Sequence, residues 1–215
     1  MDINNRCRYV PREGRSALEI LALIGRVVTL PAILAAAVLF TFLFMRPEVY
    51  AHKSDFAVSF FCLVICPVLA YPIAKAIPAL RKKGREGARN TAFLTSAIGY
   101  LGGVTYVFAI GASPALSFVH ATYFFSVVLL LFCNKAVGLR ASAHSCGAAG
   151  AAVLFGTVMG GFYWLISLAV FLFALWSSLS LKRHDGKEFF FGALCVLGGF
   201  MLAILCTVIP AMKGF

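Results

Sequence analysis

Residues 146–181, CGAAGAAVLFGTVMGGFYWLISLAVFLFALWSSLSL, contain no charged side chain. A helix crosses the hydrocarbon core of a bilayer with about 20 apolar residues. This run is too long for one crossing, and the pair Gly160–Gly161 is its natural break. The shorter half then reaches only about 22 Å at 1.5 Å per residue. Its small residues (Gly147, Ala148, Ala149, Gly150, Ala151, Ala152) suit close packing between helices.

The rest of the chain follows the same rule on both sides of this segment. Upstream, apolar runs are expected to span at about 27–45, 56–80, 91–111 and 115–134; downstream, one is expected at about 189–210. The composition agrees: 61% of the residues are hydrophobic and 13% charged, against about 25% charged in soluble domains. So large an apolar excess cannot be enclosed in one aqueous core. The reading is an all-α, polytopic transmembrane bundle of six or seven helices. It forms a single membrane domain over 1–215, with 1–26 as a basic N-terminal tail. The arginines at 6, 8, 12 and 15 lead into an apolar run too long for a signal h-region, so no cleavable signal peptide is expected.

The net charge of +11 comes from clusters at 6–15, 81–89, 135–140 and 182–187, always between apolar runs. Nucleic-acid binding would need a basic surface on a soluble fold, and the spans leave no room for one. Seven scattered cysteines without a CxxC pair read as packing residues rather than a metal site or disulfide framework. No metal or other cofactor is expected.

Two crossings separate the first of the three inner basic segments from the second, and two more separate the second from the third. All three therefore share one membrane face, where residues distant in sequence can meet. The first holds Lys82 and Arg89; the second holds Arg140, Ser142 and His144; the third holds Lys182, His184 and Glu188. Lysine and arginine match the charge of a phosphate, arginine bidentately. One imidazole can attack phosphorus and the other can protonate the leaving oxygen. Glu188 lies one helical turn beyond His184, where a carboxylate can fix the imidazole tautomer.

These residues resemble the type 2 phosphatidic acid phosphatase superfamily, whose motifs are K-x6-R-P, P-S-G-H and S-R-x5-H-x3-D. Here they read Lys82-x6-Arg89-Asn90, Ala141-Ser142-Ala143-His144 and Ser177-Ser178-x5-His184-x3-Glu188. The resemblance covers about 82–200. It implies His184 as the nucleophile, His144 as the general acid and Glu188 as the group that orients the nucleophile. It implies a phosphate cradle of Lys82, Arg89, Ser142 and amides near His144, and Arg140 fits a basic residue often seen four positions before that histidine. Asn90, Ala143 and Glu188 depart from the pattern, as does Ser178, which stands where the family has an arginine; Lys182 or Arg183 is a candidate to compensate.

The expected function is metal-independent hydrolysis of a lipid phosphomonoester or diphosphate through a phosphohistidine. Its expected substrate is a phosphorylated lipid (polyprenyl diphosphate, phosphatidate or similar) presented from the bilayer. The alternative is a weakened or inactive relative that binds phospholipid or serves as a transporter or scaffold. The expected location is a bacterial cell membrane, with the site on the cytoplasmic side by the positive-inside rule. His52 belongs to the opposite face, and His120 reads as a packed or hydrogen-bonded intramembrane histidine.

Overall fold

The computed structural model describes residues 16–182 and 185–209, and among these the secondary structure is helical throughout. The nine helices are α1 (Ala17–Val28), α2 (Pro31–Met45), α3 (Asp55–Ala76), α4 (Pro78–Lys82), α5 (Gly84–Ala109), α6 (Pro114–Lys135), α7 (Ala143–Met159), α8 (Tyr163–Ser180) and α9 (Gly186–Val208). Five of them (α3, α5, α6, α8 and α9) are long and apolar enough to cross a membrane, and α1 and α2, bent by 58° at their break, pass the same test only when taken as a pair. The chain is a multi-pass membrane protein with an all-α transmembrane bundle.

Local sequence explains where the helices begin. Ser16, Ser113, Ser142 and Asp185 are N-caps whose side-chain oxygens accept a backbone N–H one turn on. Pro31 and Pro114 occupy first-turn positions, where proline costs no hydrogen bond. Inside α3, Pro67 has no N–H to offer, and the helix widens to a π segment over Phe61–Ile65. At the break expected within 146–181, Gly160 and Gly161 both take positive φ (71° and 49°), which permits the tight reversal from α7 to α8.

Two sequence expectations are corrected. The first span does not run unbroken from residue 27, nor is 1–26 all tail. α1 occupies Ala17–Val28, and the chain turns at Thr29–Leu30 before α2. Its outward residues Leu18, Ile24, Val27 and Val28 are apolar and exposed, as suits contact with lipid. The segment 81–90, left between the spans expected at about 56–80 and 91–111, is also not an open loop, because α5 begins at Gly84 and draws most of it into helix. Alanine, arginine and glutamate there are good helix formers.

α6 lies at the centre, packed against α5, α9 and α7, whereas α8 and α9 turn Leu165, Leu168, Leu197, Met201 and Leu205 outward. Its fully buried His120 places Nε2 2.9 Å from Ser59 Oγ on α3. At the adjoining end of the bundle, buried Asp55 accepts from the His52 amide (2.8 Å) and the Tyr106 hydroxyl (3.0 Å). His120 presses its Nδ1 edge onto the bare backbone of Gly103, where a Cβ would overlap the ring. Gly103→Ala therefore overpacks the α5–α6 contact and is expected to cost about 1–3 kcal/mol. A fall of several degrees in the apparent melting temperature in detergent checks this, and an unchanged melt would refute it.

Candidate active site

Contacts bring Thr29, the end of the 77–90 segment, the 135–144 segment and the start of α9 together: Thr29 meets His144, Lys135 meets Asn90 and Ser142 meets Glu188. Within the described residues, the second and third segments are joined directly. The Ser142 N–H donates to the Glu188 carbonyl (2.9 Å), and the Ser145 hydroxyl donates to the Phe189 carbonyl (2.5 Å). This seam needs Gly192. A Cβ there would overlap the Ser142 carbonyl oxygen and lie 2.9 Å from Ser145 Cβ. Arg140 Nε stands 3.6 Å from Glu188 Oε1 across the same seam. Both ends of that pair meet solvent, Arg140 more than Glu188, so it orients the two groups more than it stabilises the fold.

His144 sits in the first turn of α7 and is 5% exposed. Its Nε2 lies 3.1 Å from the Thr29 hydroxyl, which itself lies 2.7 Å from the Gly25 carbonyl. The single hydroxyl proton goes to the carbonyl, so the threonine oxygen is left as acceptor and Nε2 is the protonated nitrogen that donates to it. Ser142 is buried and caps α7 by accepting the Ser145 amide at 3.2 Å. The Cys146 amide returns to the Ser142 carbonyl. The start of this 17-residue helix carries a partial positive charge that favours an anion.

The first polar segment reaches the same end by packing and one hydrogen bond. Phe93 of α5 belongs to one buried cluster with Ala141, Cys146 and Cys195. Asn90, where the family pattern has proline, accepts from Lys135 Nζ (3.0 Å) and ties α5 to the end of α6. Asn134 donates to the Ala141 carbonyl (3.1 Å) and shapes the run into Ser142. Arg89, one turn before Phe93, is exposed, as is Lys82 at the end of α4. Neither makes a hydrogen bond or ion pair with Glu188 or His144 among the described residues.

Lys182 is exposed at the end of α8 and holds φ +48°, an uncommon left-handed geometry for a lysine. His184 and Arg183 lie outside the described residues. Ser178 is fully buried, and its hydroxyl finds no hydrogen-bond partner among the described residues.

Sequence reasoning missed Thr29 as the neighbour of His144, and Arg140 as the partner of Glu188. For Thr29 a signal existed: Pro31 marks a helix start, which implies a break just before it. The Arg140–Glu188 pairing had none, because neither spacing nor periodicity relates the two residues. Family models, curated proteins and solved structures were all compared with the chain, and none of them matches.

Proposed function

We propose that the protein is a membrane phosphohydrolase that cleaves the phosphomonoester or diphosphate of a lipid through a phosphohistidine at His184. The single observation that carries this reading is the seam between the second and third polar segments. It sets buried His144, the N-terminus of α7, Arg140 and Glu188 at one end of a lipid-solvated bundle. A phosphate at that end would meet backbone donors from α7 and the Arg140 guanidinium. The Thr29 oxygen beside His144 Nε2 stands in for the leaving oxygen that the imidazole would protonate. His184, two residues beyond Lys182, supplies the nucleophile, and Glu188 with Arg140 frames it. Lys82 and Arg89 close over the phosphate from α4 and α5, a movement that their exposure permits.

Phosphate release by detergent-purified protein from a panel of lipid phosphates and diphosphates tests the reading. Release that persists in chelator is expected. Protein that binds these lipids yet releases phosphate from none of them would favour a non-catalytic phospholipid binder, the reading that buried Ser178 suits.

The site is further proposed to face the cytoplasm of a bacterial cell, because the basic segments cluster at its end. A cysteine introduced at Lys187 should then resist a membrane-impermeant thiol reagent applied to whole cells. Its ready labelling from outside would reverse the orientation.

A further inference from the structure

We propose that the cleft between α2 and α8 holds one acyl chain of a glycerophospholipid, with the Ser167 hydroxyl donating to the ester carbonyl of that chain. This lipid site is separate from the candidate active site and does not rest on the phosphohydrolase reading.

The cleft follows from how three helices meet. α2 and α8 each pack on α7, which supplies the floor through Ala151 and Phe155. Leu34 and Val38 form one wall, Ser167 and Val170 the other, and the space between them is about 170 Å³. Ala37 and Ile166 also line it, and both are exposed, so it opens sideways toward lipid. An apolar cavity of this order, about 150 Å³, stays dry and takes an apolar guest. The solvent at this mouth is hydrocarbon, so a stretch of lipid chain is the natural filling.

Ser167 gives the chain its identity. The residue is 4% exposed, and its hydroxyl has no hydrogen-bond partner among the described residues. An unpaired hydroxyl is unfavourable in hydrocarbon, where no bulk water can serve it. Thr41, the other hydroxyl in the lining, already donates to the Ala37 carbonyl (2.8 Å). The lining thus offers one unused donor on an apolar surface. Its complement is a hydrocarbon body with an acceptor.

Depth selects the acceptor. Ser167 lies one turn beyond Tyr163 and Trp164, and aromatic residues of this kind mark the membrane interface. Glycerolipid ester carbonyls lie just inside the headgroups, and their chains run inward from there. The lining follows the same course. It passes from Thr41, Phe155 and Ser167 to Leu34, Ala151 and Val170, one to two turns deeper on each helix. α7 begins beside His144 and ends at the Gly160–Gly161 reversal, so this lipid comes from the leaflet opposite His144. A plainer role for the hydroxyl is a bond back to a carbonyl of its own helix. That role confers no preference among lipids.

The test uses the full chain in detergent, with dioleoyl phosphatidylcholine and its diether analogue as probes. The two match in headgroup and chain length, but the ether lacks the carbonyls. After equilibration with an equimolar mixture, native mass spectrometry should show one retained phosphatidylcholine. The ester should be favoured about 3–10-fold, as expected for one neutral hydrogen bond. Ser167→Ala should bring the two lipids to parity while a chain is still retained. Ala37→Phe should block the mouth and strip both; Ala37 is exposed, so this variant remains informative if Ser167→Ala melts early. Equal retention of ester and ether by the wild type is the mark of annular lipid only and overturns the proposal. So does an ester preference that survives Ser167→Ala, or wild-type retention in Ala37→Phe.

Discussion

His184→Ala is expected to abolish phosphate release, a loss of about 10³-fold or more, because no other side chain can take over a covalent step. His144→Ala is expected to cost about 10²–10⁴-fold with a lipid phosphomonoester, the range for removal of a general acid. The two defects should separate when the leaving group changes. With p-nitrophenyl phosphate the departing oxygen needs little protonation, so His144→Ala should recover much of the wild-type rate while His184→Ala should not. Steady-state rates on both substrates check this, provided the variants melt with the wild type. Equal recovery of both variants, or of neither, would remove the division of labour between the histidines.

Gly192→Ala is the second large effect. The added Cβ would overlap the Ser142 carbonyl and sit 3.2 Å from the Cys146 amide nitrogen. These are backbone atoms at a helix start and cannot swing aside, so α9 must withdraw from α7. The expected cost is about 1–3 kcal/mol of stability. Because the shift falls on the seam that joins His144 to Glu188, activity should drop more than stability alone explains; a 1 Å misplacement can cost about 10²-fold. Gly150→Ala is the comparison, because a Cβ there meets only Val196 Cγ2 at 3.8 Å and the change favours helix. Thermal melts and rates of the two variants check this. Wild-type activity in Gly192→Ala would show that the seam does not position the site.

Much of the bundle is legible in the sequence, because lipid leaves the backbone few choices. Apolar runs near 20 residues become helices, and a glycine pair in a run too long for one crossing becomes a reversal. What escapes is set by three-dimensional balance. α1 hides between a basic tail and an apolar run, since its lipid-facing leucines and valines look like the approach to the next span. The helical start of α5 hides in a run of charges that reads as loop. At the candidate site, the sharing of one end by His144, Arg140 and Glu188 follows from counting crossings. The Thr29–His144 and Lys135–Asn90 contacts do not, because polar partners between helices carry no periodicity. The buried Ser178 hydroxyl also shows that a motif position can keep its spacing while its side chain serves the interior.

The central claim is that one phosphorus atom passes through His184. Purified protein mixed briefly with a ³²P-labelled lipid phosphate and quenched in alkali should carry a label that survives base and is lost in acid, as phosphohistidine is. The label should map to the peptide holding His184 and should persist longer in a variant whose water-activating step is slowed. Phosphate release by the wild type with no such label, or with label on a different residue, would contradict the account.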